Sequence, residues 1–370
     1  GCRPDGHGHQ YPEAERIVNI INFIRLCEPR YDGAINRDML FETTQEQIGL
    51  MAQYGFRGTF LLQYDALIEP RYRELMESAR AAGHELGGWW EITQPHVERA
   101  GMEWRGRYPW DWHADVGFST GYTPAERESL VDVYMEEFRS AFGNYPKAVG
   151  SWFIDAHTLA YMHEKYGIEA SCNCKEQVGT DGYSRWGGYY PGAYYPRRVN
   201  AYMPAQNEAA QIPVPVFRML GSDPIYQYDT GIGGSWQQVE SLEPVYPHSG
   251  GDAEWIRYFF GSMADDPALG LTYAQVGQEN SFTWPAMAEG LKEQFAVIDS
   301  LNTAKRIRVE TLTESARRYR EQYPVTAPTA TSTLRDIRGE GHRTVWFNSR
   351  FYRVNMLWED GAMRLRDIHM

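Results

Sequence analysis

Ala82-Gly83-His84-Glu85-Leu86-Gly87-Gly88-Trp89-Trp90-Glu91-Ile92, with Gln94, Pro95 and His96 behind it, is a short apolar run that a glycine turn opens and that two tryptophans and a carboxylate close. It is too short for a helix and reads as a buried strand, so Trp89, Trp90 and Glu91 fall at its C-terminal end. C-terminal strand ends are where α/β barrels keep their chemistry. The other strand ends are therefore the places to look for partners.

Working outward, Arg16 to Cys27 is a β-branched apolar run stopped at Glu28-Pro29-Arg30. Thr43-Thr44-Gln45-Glu46 reads as a capping box that opens a helix to Tyr54 and Gly55. Arg57 to Gln63 is a second strand, and a helix from Asp65 to Ala82, disturbed near Pro70, leads into the opening run. Past it, Pro95 to Tyr122 has no clear periodicity but carries Trp104, Trp110 and Trp112, and a loop so long inside a domain is usually functional. Thr123-Pro124-Ala125-Glu126 starts a helix. Further strands are expected at Lys147 to Ile154, Ile168 to Cys172, Val214 to Leu220, Leu269 to Val276 and Arg306 to Val309, with helices between most of them. Alternation of this kind argues for parallel strands with helical crossovers, and a count of eight favours a barrel over an open sheet.

Residues 1–12 read as a flexible tail, 13–323 as the barrel, 324–333 (PVTAPTATST) as a linker and 334–370 as a β-hairpin or partial sandwich around Asp360-Gly361. Lys and Arg number 36 against 49 Asp and Glu, a net charge of -13, which excludes a groove that tracks nucleic acid phosphates. No run of 18 apolar residues exists to span a bilayer. The 12 Trp and 25 Tyr exceed what a core of this size needs and point to stacking surfaces of the kind that neutral sugars use. Cys172 and Cys174 lack zinc-ligand spacing. Cys2 near the start has the position of the lipidated cysteine of a bacterial lipoprotein, which makes a periplasmic or cell-surface location the expectation; a chance cysteine in a loose tail is the alternative.

The succession of an acidic strand end, a helix, Tyr54-Gly55-Phe56-Arg57-Gly58-Thr59-Phe60-Leu61-Leu62, a helix and Ala82-Gly83-His84-Glu85-Leu86-Gly87 resembles the N-terminal half of polysaccharide deacetylases and of the glycoside hydrolases that share their barrel. The resemblance implies an α/β fold, an irregular seven- to eight-stranded (β/α) barrel with a small C-terminal β appendage. It breaks where deacetylases hold their metal. Their paired aspartates correspond to Cys27 and Glu28, and their two histidines, four residues apart, to Trp89 and Thr93. With two imidazoles gone, no cofactor is expected; a relocated divalent site at Glu28, Glu91 and His96 is the remaining metal possibility.

What remains at the strand ends is carboxylate. Glycosidases use two such groups, one as acid and one as nucleophile or base. By analogy with barrel glycosidases, whose nucleophile comes from about the fourth strand, Asp155 and Glu279 are the first pair, with Glu28 and Glu91 as rivals. Structural alternatives stand beside each: Asp155 as a helix cap, Glu28 and Glu91 as ion-pair partners of Arg25 or Arg30, Glu279 as a loop carboxylate, Asp223 as a turn residue. Substrate contacts are expected from Trp89, Trp90, His96, Trp110, Trp112 and His157, and from Asp181, Tyr183, Trp186 and Tyr190 in a second aromatic loop. The expected function is a glycoside hydrolase acting on an oligo- or polysaccharide. The alternatives are a deacetylase-like carbohydrate esterase with an altered metal site and a non-catalytic carbohydrate-binding lipoprotein.

Overall fold

The computed structural model describes residues 13–28, 32–174, 192–219, 221–230 and 240–370. Cys2 and the tail, Arg30, and the expected contacts Asp181, Tyr183, Trp186 and Tyr190 lie outside the described residues.

Among the described residues, eight parallel strands form the centre: β1 (Glu15–Ile24), β2 (Thr59–Leu62), β3 (Glu85–Trp89), β4 (Ala148–Gly150), β5 (Ala170–Cys174), β6 (Val216–Met219), β7 (Leu271–Val276) and β8 (Arg308–Glu310). Their order in space is β7-β1-β2-β3-β4-β5-β6. The first half of β1 is flanked by β7 and β8 and its second half pairs with β2, Ile21 lying opposite Thr59 and Ile24 opposite Leu62. The rings of Phe217 on β6 and Tyr273 on β7 lie 4.8 Å apart, so side chains of the two outer parallel strands touch across the curved sheet. The long helices are α1 (Arg37–Tyr54), α2 (Pro70–Ala81), α3 (Pro124–Phe142), α4 (Ala156–Tyr166), α5 (Ala253–Asp265), α6 (Trp284–Thr303) and α7 (Leu312–Gln322).

Strand alternation sorts the side chains into two cores. Ile17, Ile21 and Phe23 of β1, Leu61 of β2, Trp89 of β3 and Tyr273 of β7 pack together inside the curl. Val18, Ile20, Ile24, Phe60, Leu62 and Leu86 pack outward against the helices. Trp89 fits inside because its neighbours are small: a Cβ on Gly150 would stand 2.5 Å from Cys172 Sγ, and one on Gly87 2.5 Å from the Ala148 carbonyl oxygen. Trp89 instead stacks on Phe23 at 4.0 Å and meets Trp152 edge-on at 5.7 Å.

Three expectations need correction. Helix α1 begins at Arg37 with Asn36 as cap, its side chain accepting from the Met39 N–H; Thr43 and Thr44 lie within the helix and donate their hydroxyls to the Met39 and Leu40 carbonyls one turn back. The helix expected over Asp65 to Ala82 is a short turn, Tyr64–Leu67, followed by α2, because Glu69 before Pro70 is forced out of helical geometry (φ -82°, ψ 120°). The stretch read as a linker holds a strand, β9 (Thr329–Thr333). It pairs with the short strand Ala268–Leu269 and with β10 (Arg343–Asn348), which continues through β11 (Arg353–Glu359) to β12 (Ala362–His369) in one antiparallel sheet. Its threonines are β-branched residues that suit a pleated surface. Trp346 of β10 ties this sheet to the segment after β6 by donating its indole N–H to the Pro224 carbonyl at 2.8 Å.

Candidate active site

Four parallel strands deliver one polar side chain each to the same place. Arg25 follows Phe23, Gln63 follows Leu61 and Glu91 follows Trp89, each two residues beyond an inward-facing side chain of its strand; Glu279 stands in the same phase after Tyr273. Because the strands are parallel, these positions converge at the C-terminal mouth. Arg25 is the hub. Its Nε and Nη2 donate to the two oxygens of Glu91 at 2.8 and 2.7 Å, and its Nη1 lies 2.8 Å from Glu279 Oε1 and 3.2 Å from Ser281 Oγ. Gln63 adds a hydrogen bond to Glu91 Oε1 at 3.0 Å, and the Ser281 hydroxyl one to Glu279 Oε1 at 2.8 Å. Asn280 extends the ladder past the end of β1: its side-chain amide accepts from the Arg25 N–H at 2.8 Å and donates to the Arg25 carbonyl at 2.9 Å. Arg25 and Glu91 are 4% and 1% exposed, whereas Glu279, at 7%, is the most open member of the trio. The Trp110 ring lies 5.6 Å from the guanidinium carbon but is 1% exposed in the inner core, so, contrary to expectation, it braces the cluster rather than facing substrate.

A third buried carboxyl belongs to the end of the next strand. Asp65, just past β2, accepts a hydrogen bond from Thr93 Oγ1 at 2.5 Å, and burial pushes it up to about 6 against that bond. The rim is the tryptophan loop. There Asp111 gathers the backbone and side-chain N–H groups of Arg107 and His113; burial pushes its carboxyl up, but those bonds outweigh burial and hold it well below the usual carboxylate range. Trp112, 37% exposed, stacks on His113 at 4.2 Å and offers a flat face to solvent.

Other sequence candidates are placed elsewhere. Asp155 caps α4, accepting from the Thr158 N–H and hydroxyl at 2.9 and 2.8 Å, from Ser119 Oγ at 2.5 Å and from Arg127 Nη1 at 2.9 Å; it shares no partner with the Arg25 cluster. Glu28 is buried and accepts from the Asp32 N–H at 3.0 Å. His96 is wholly buried on the helix side of the sheet, stacked on Tyr64 at 4.5 Å, with Nε2 2.7 Å from the Leu130 carbonyl; burial drives its imidazole down to about 4. It is a core histidine, which removes it as a sugar contact and as a ligand of a relocated metal. Trp90 packs beside it, against Tyr134, and Trp89 lies within the inner core, so neither reaches substrate. His157 is exposed on the first turn of α4, 3.7 Å from Glu128. Asp223 accepts from the Ile225 and Tyr226 N–H groups, the turn role expected of it.

Among solved structures, a Parabacteroides distasonis protein assigned as a glycoside hydrolase/deacetylase superposes on 96% of this chain and 85% of its own, with a TM-score of 0.68 at 15% identity. The chain has the glycoside hydrolase/deacetylase fold. Two proteins assigned as polysaccharide deacetylases share the fold less closely. The one from Mycobacterium smegmatis aligns over 86% of this chain and 95% of its own (TM-score 0.51, 13% identity), and the one from Pseudomonas aeruginosa PAO1 over 86% and 97% (TM-score 0.50, 12% identity). No protein-family model and no curated protein matches the sequence.

The metal that the deacetylase resemblance implies does not fit this version of the fold. Trp89 and Thr93 stand where the histidines are expected; one is stacked in the core and the other donates to Asp65. Between Glu91 and Glu279 lies a guanidinium, so the cation of this site is a side chain. No three His, Cys, Asp or Glu side chains gather as a metal requires among the described residues. Sequence reasoning placed Arg25 only as an ion-pair partner and passed over Gln63, Asp65 and Asn280. The available signal was phase, since each falls at or just past the end of an apolar strand.

Proposed function

We propose that this chain is a carbohydrate-acting hydrolase of the deacetylase kind, working at the Arg25–Glu91–Glu279 mouth through its own side chains. The observation that carries it is that cluster: buried charges converging at the strand ends of this fold, below an exposed tryptophan. The fold neighbours assigned as deacetylases support the substrate class. Cleavage of a glycosidic bond needs one protonated carboxyl to assist the leaving oxygen. Glu91 and Glu279 both accept charge-assisted hydrogen bonds from one guanidinium, the part of carboxylates rather than of acids. That favours water activation and acyl transfer over glycoside cleavage.

In this reading Glu279, the most open of the trio, is the base that takes a proton from the attacking water. Arg25 fixes its orientation, and Glu91 with Gln63 fixes Arg25. Trp112 supplies a face for a pyranose ring.

The test is release of acetate and of reducing ends from acetylated xylo-oligosaccharides and N-acetylglucosamine oligomers, with and without chelator. Chelator-insensitive acetate release, reduced about a hundredfold or more in Glu279→Gln, is the expected result. Reducing ends without acetate would make the chain a glycosidase. Acetate release abolished by chelator would restore the metal.

A further inference from the structure

A second cleft lies on the outer wall of the barrel and shares no residue with the mouth. Phe217 of β6 points inward and Val216 outward, so Arg218 lies on the outward face, where its guanidinium sits over the Tyr194 ring at 5.3 Å. Facing it are the hairpin formed by Pro196–Arg197 and Asn200–Pro204 and the turn between β10 and β11. Between them lies an open groove.

Four arginines line this space, Arg197, Arg218, Arg350 and Arg353, and no Asp or Glu does so among the described residues. Arg353 is paired with Asp367 at 2.7 Å, whereas Arg197 and Arg350 have no carboxylate partner among the described residues. In a chain of net charge -13 such a concentration of cations is not a sample of the average surface. Two aromatic side chains at the lip, Phe351 and Tyr352, are 52% and 44% exposed. Large exposed aromatics beside guanidinium groups combine a flat apolar face with donors whose fork geometry fits carboxylate and sulfate oxygens.

We propose that this cleft binds an acidic saccharide, a sugar chain carrying carboxylate or sulfate groups, at a site separate from the catalytic mouth. The arginines would take the anionic groups and the aromatic lip the C–H face of a ring. The choice of a saccharide rests on the carbohydrate reading of the mouth; the choice of an acidic one rests on the cleft alone.

The test is titration calorimetry of the full chain with trigalacturonate, with a sulfated disaccharide and with neutral galactotriose. Binding of either acidic probe, weakened by added salt and at least tenfold tighter than the neutral triose, is expected, and the stronger of the two identifies the anionic group. Arg197→Ala/Arg350→Ala should weaken it at least tenfold and Tyr352→Ala severalfold, with circular dichroism unchanged. Glu279→Gln should bind as the parent does, even if the parent proves to release no acetate, so that failure at the mouth and failure at the cleft are read separately. The proposal is overturned if neither acidic probe binds, if the neutral triose binds equally, or if binding is lost in Glu279→Gln and kept in the arginine variant.

Discussion

The mouth and the outer cleft both use arginine, and they use it in opposite ways. At the mouth one guanidinium, 4% exposed, is clamped by two carboxylates, a glutamine-braced geometry and an asparagine that pairs with its backbone. At the cleft Arg197 and Arg350 are partly exposed and have no carboxylate partner among the described residues, while Arg353 pairs with Asp367. The difference is desolvation. A buried ion pair is held by mutual compensation and cannot lose a member cheaply, whereas an exposed cation keeps its water until a ligand replaces it.

The sharpest way to break this contrast is to remove the charge on each side. Arg25→Met leaves Glu91 and Glu279 buried together without their cation and should destabilise the fold by about 3–5 kcal/mol in urea denaturation. Arg350→Ala, whose partly exposed guanidinium donates to the Gln206 carbonyl at 3.2 Å and lies over the Phe351 ring at 4.7 Å, should stay within about 0.5 kcal/mol of the parent. Similar losses for the two variants would mean that the mouth is wetter than its burial indicates.

A somewhat smaller effect is expected from Asp65, which is buried and forms no ion pair among the described residues. Its folded value near 6 stands above an unfolded value of about 3.9, so the folded state holds the proton more tightly. The contribution of Asp65 to stability is therefore complete below pH about 4 and is lost as pH rises through 6, by about 3 kcal/mol in all. Asp65→Asn cannot titrate. The stability difference between variant and parent should move in the variant's favour by that amount between pH 3.5 and 7.5, and a difference that stays flat across this range would show that Asp65 is already solvated or paired.

Much of this fold was legible because alternation and turn chemistry are local. The Thr123–Glu126 capping box forms as read, with the Thr123 hydroxyl accepting from the Glu126 N–H and the Glu126 carboxylate from the Thr123 N–H. Gly55 closes α1 at φ 66°. The run that ends in Trp89-Trp90-Glu91 is a parallel strand, and Glu91 lies at its mouth as expected. The site was less legible, because convergence is a property of register between strands. Nothing in the local sequence of Arg25 distinguishes a hub from a surface arginine, and nothing in Gln94-Pro95-His96 tells that the histidine turns away into the helix layer. Trp89 and Trp90 show the limit most plainly: adjacent in sequence at a promising strand end, they lie on opposite sides of the sheet, one in each core, and neither meets solvent.

Asp155 gives the smallest effect and separates cap from catalyst. Its oxygens hold the first turn of α4 and one guanidinium, and its side chain is 12% exposed, so it belongs neither to the sealed mouth nor to the open cleft. Asparagine caps a helix about as well as aspartate, so Asp155→Asn should cost less than about 1 kcal/mol, the remaining loss being the Arg127 ion pair. Alanine removes the cap as well and should cost about 1–2 kcal/mol. In both variants acetate release measured below the unfolding transition should match the parent, because the donors that Asp155 accepts from, in Ser119, Arg127 and Thr158, are structural. A loss of two powers of ten in Asp155→Asn, with the fold intact by circular dichroism, would move the chemistry to the end of β4 and leave the Arg25 cluster as a brace for the parallel sheet.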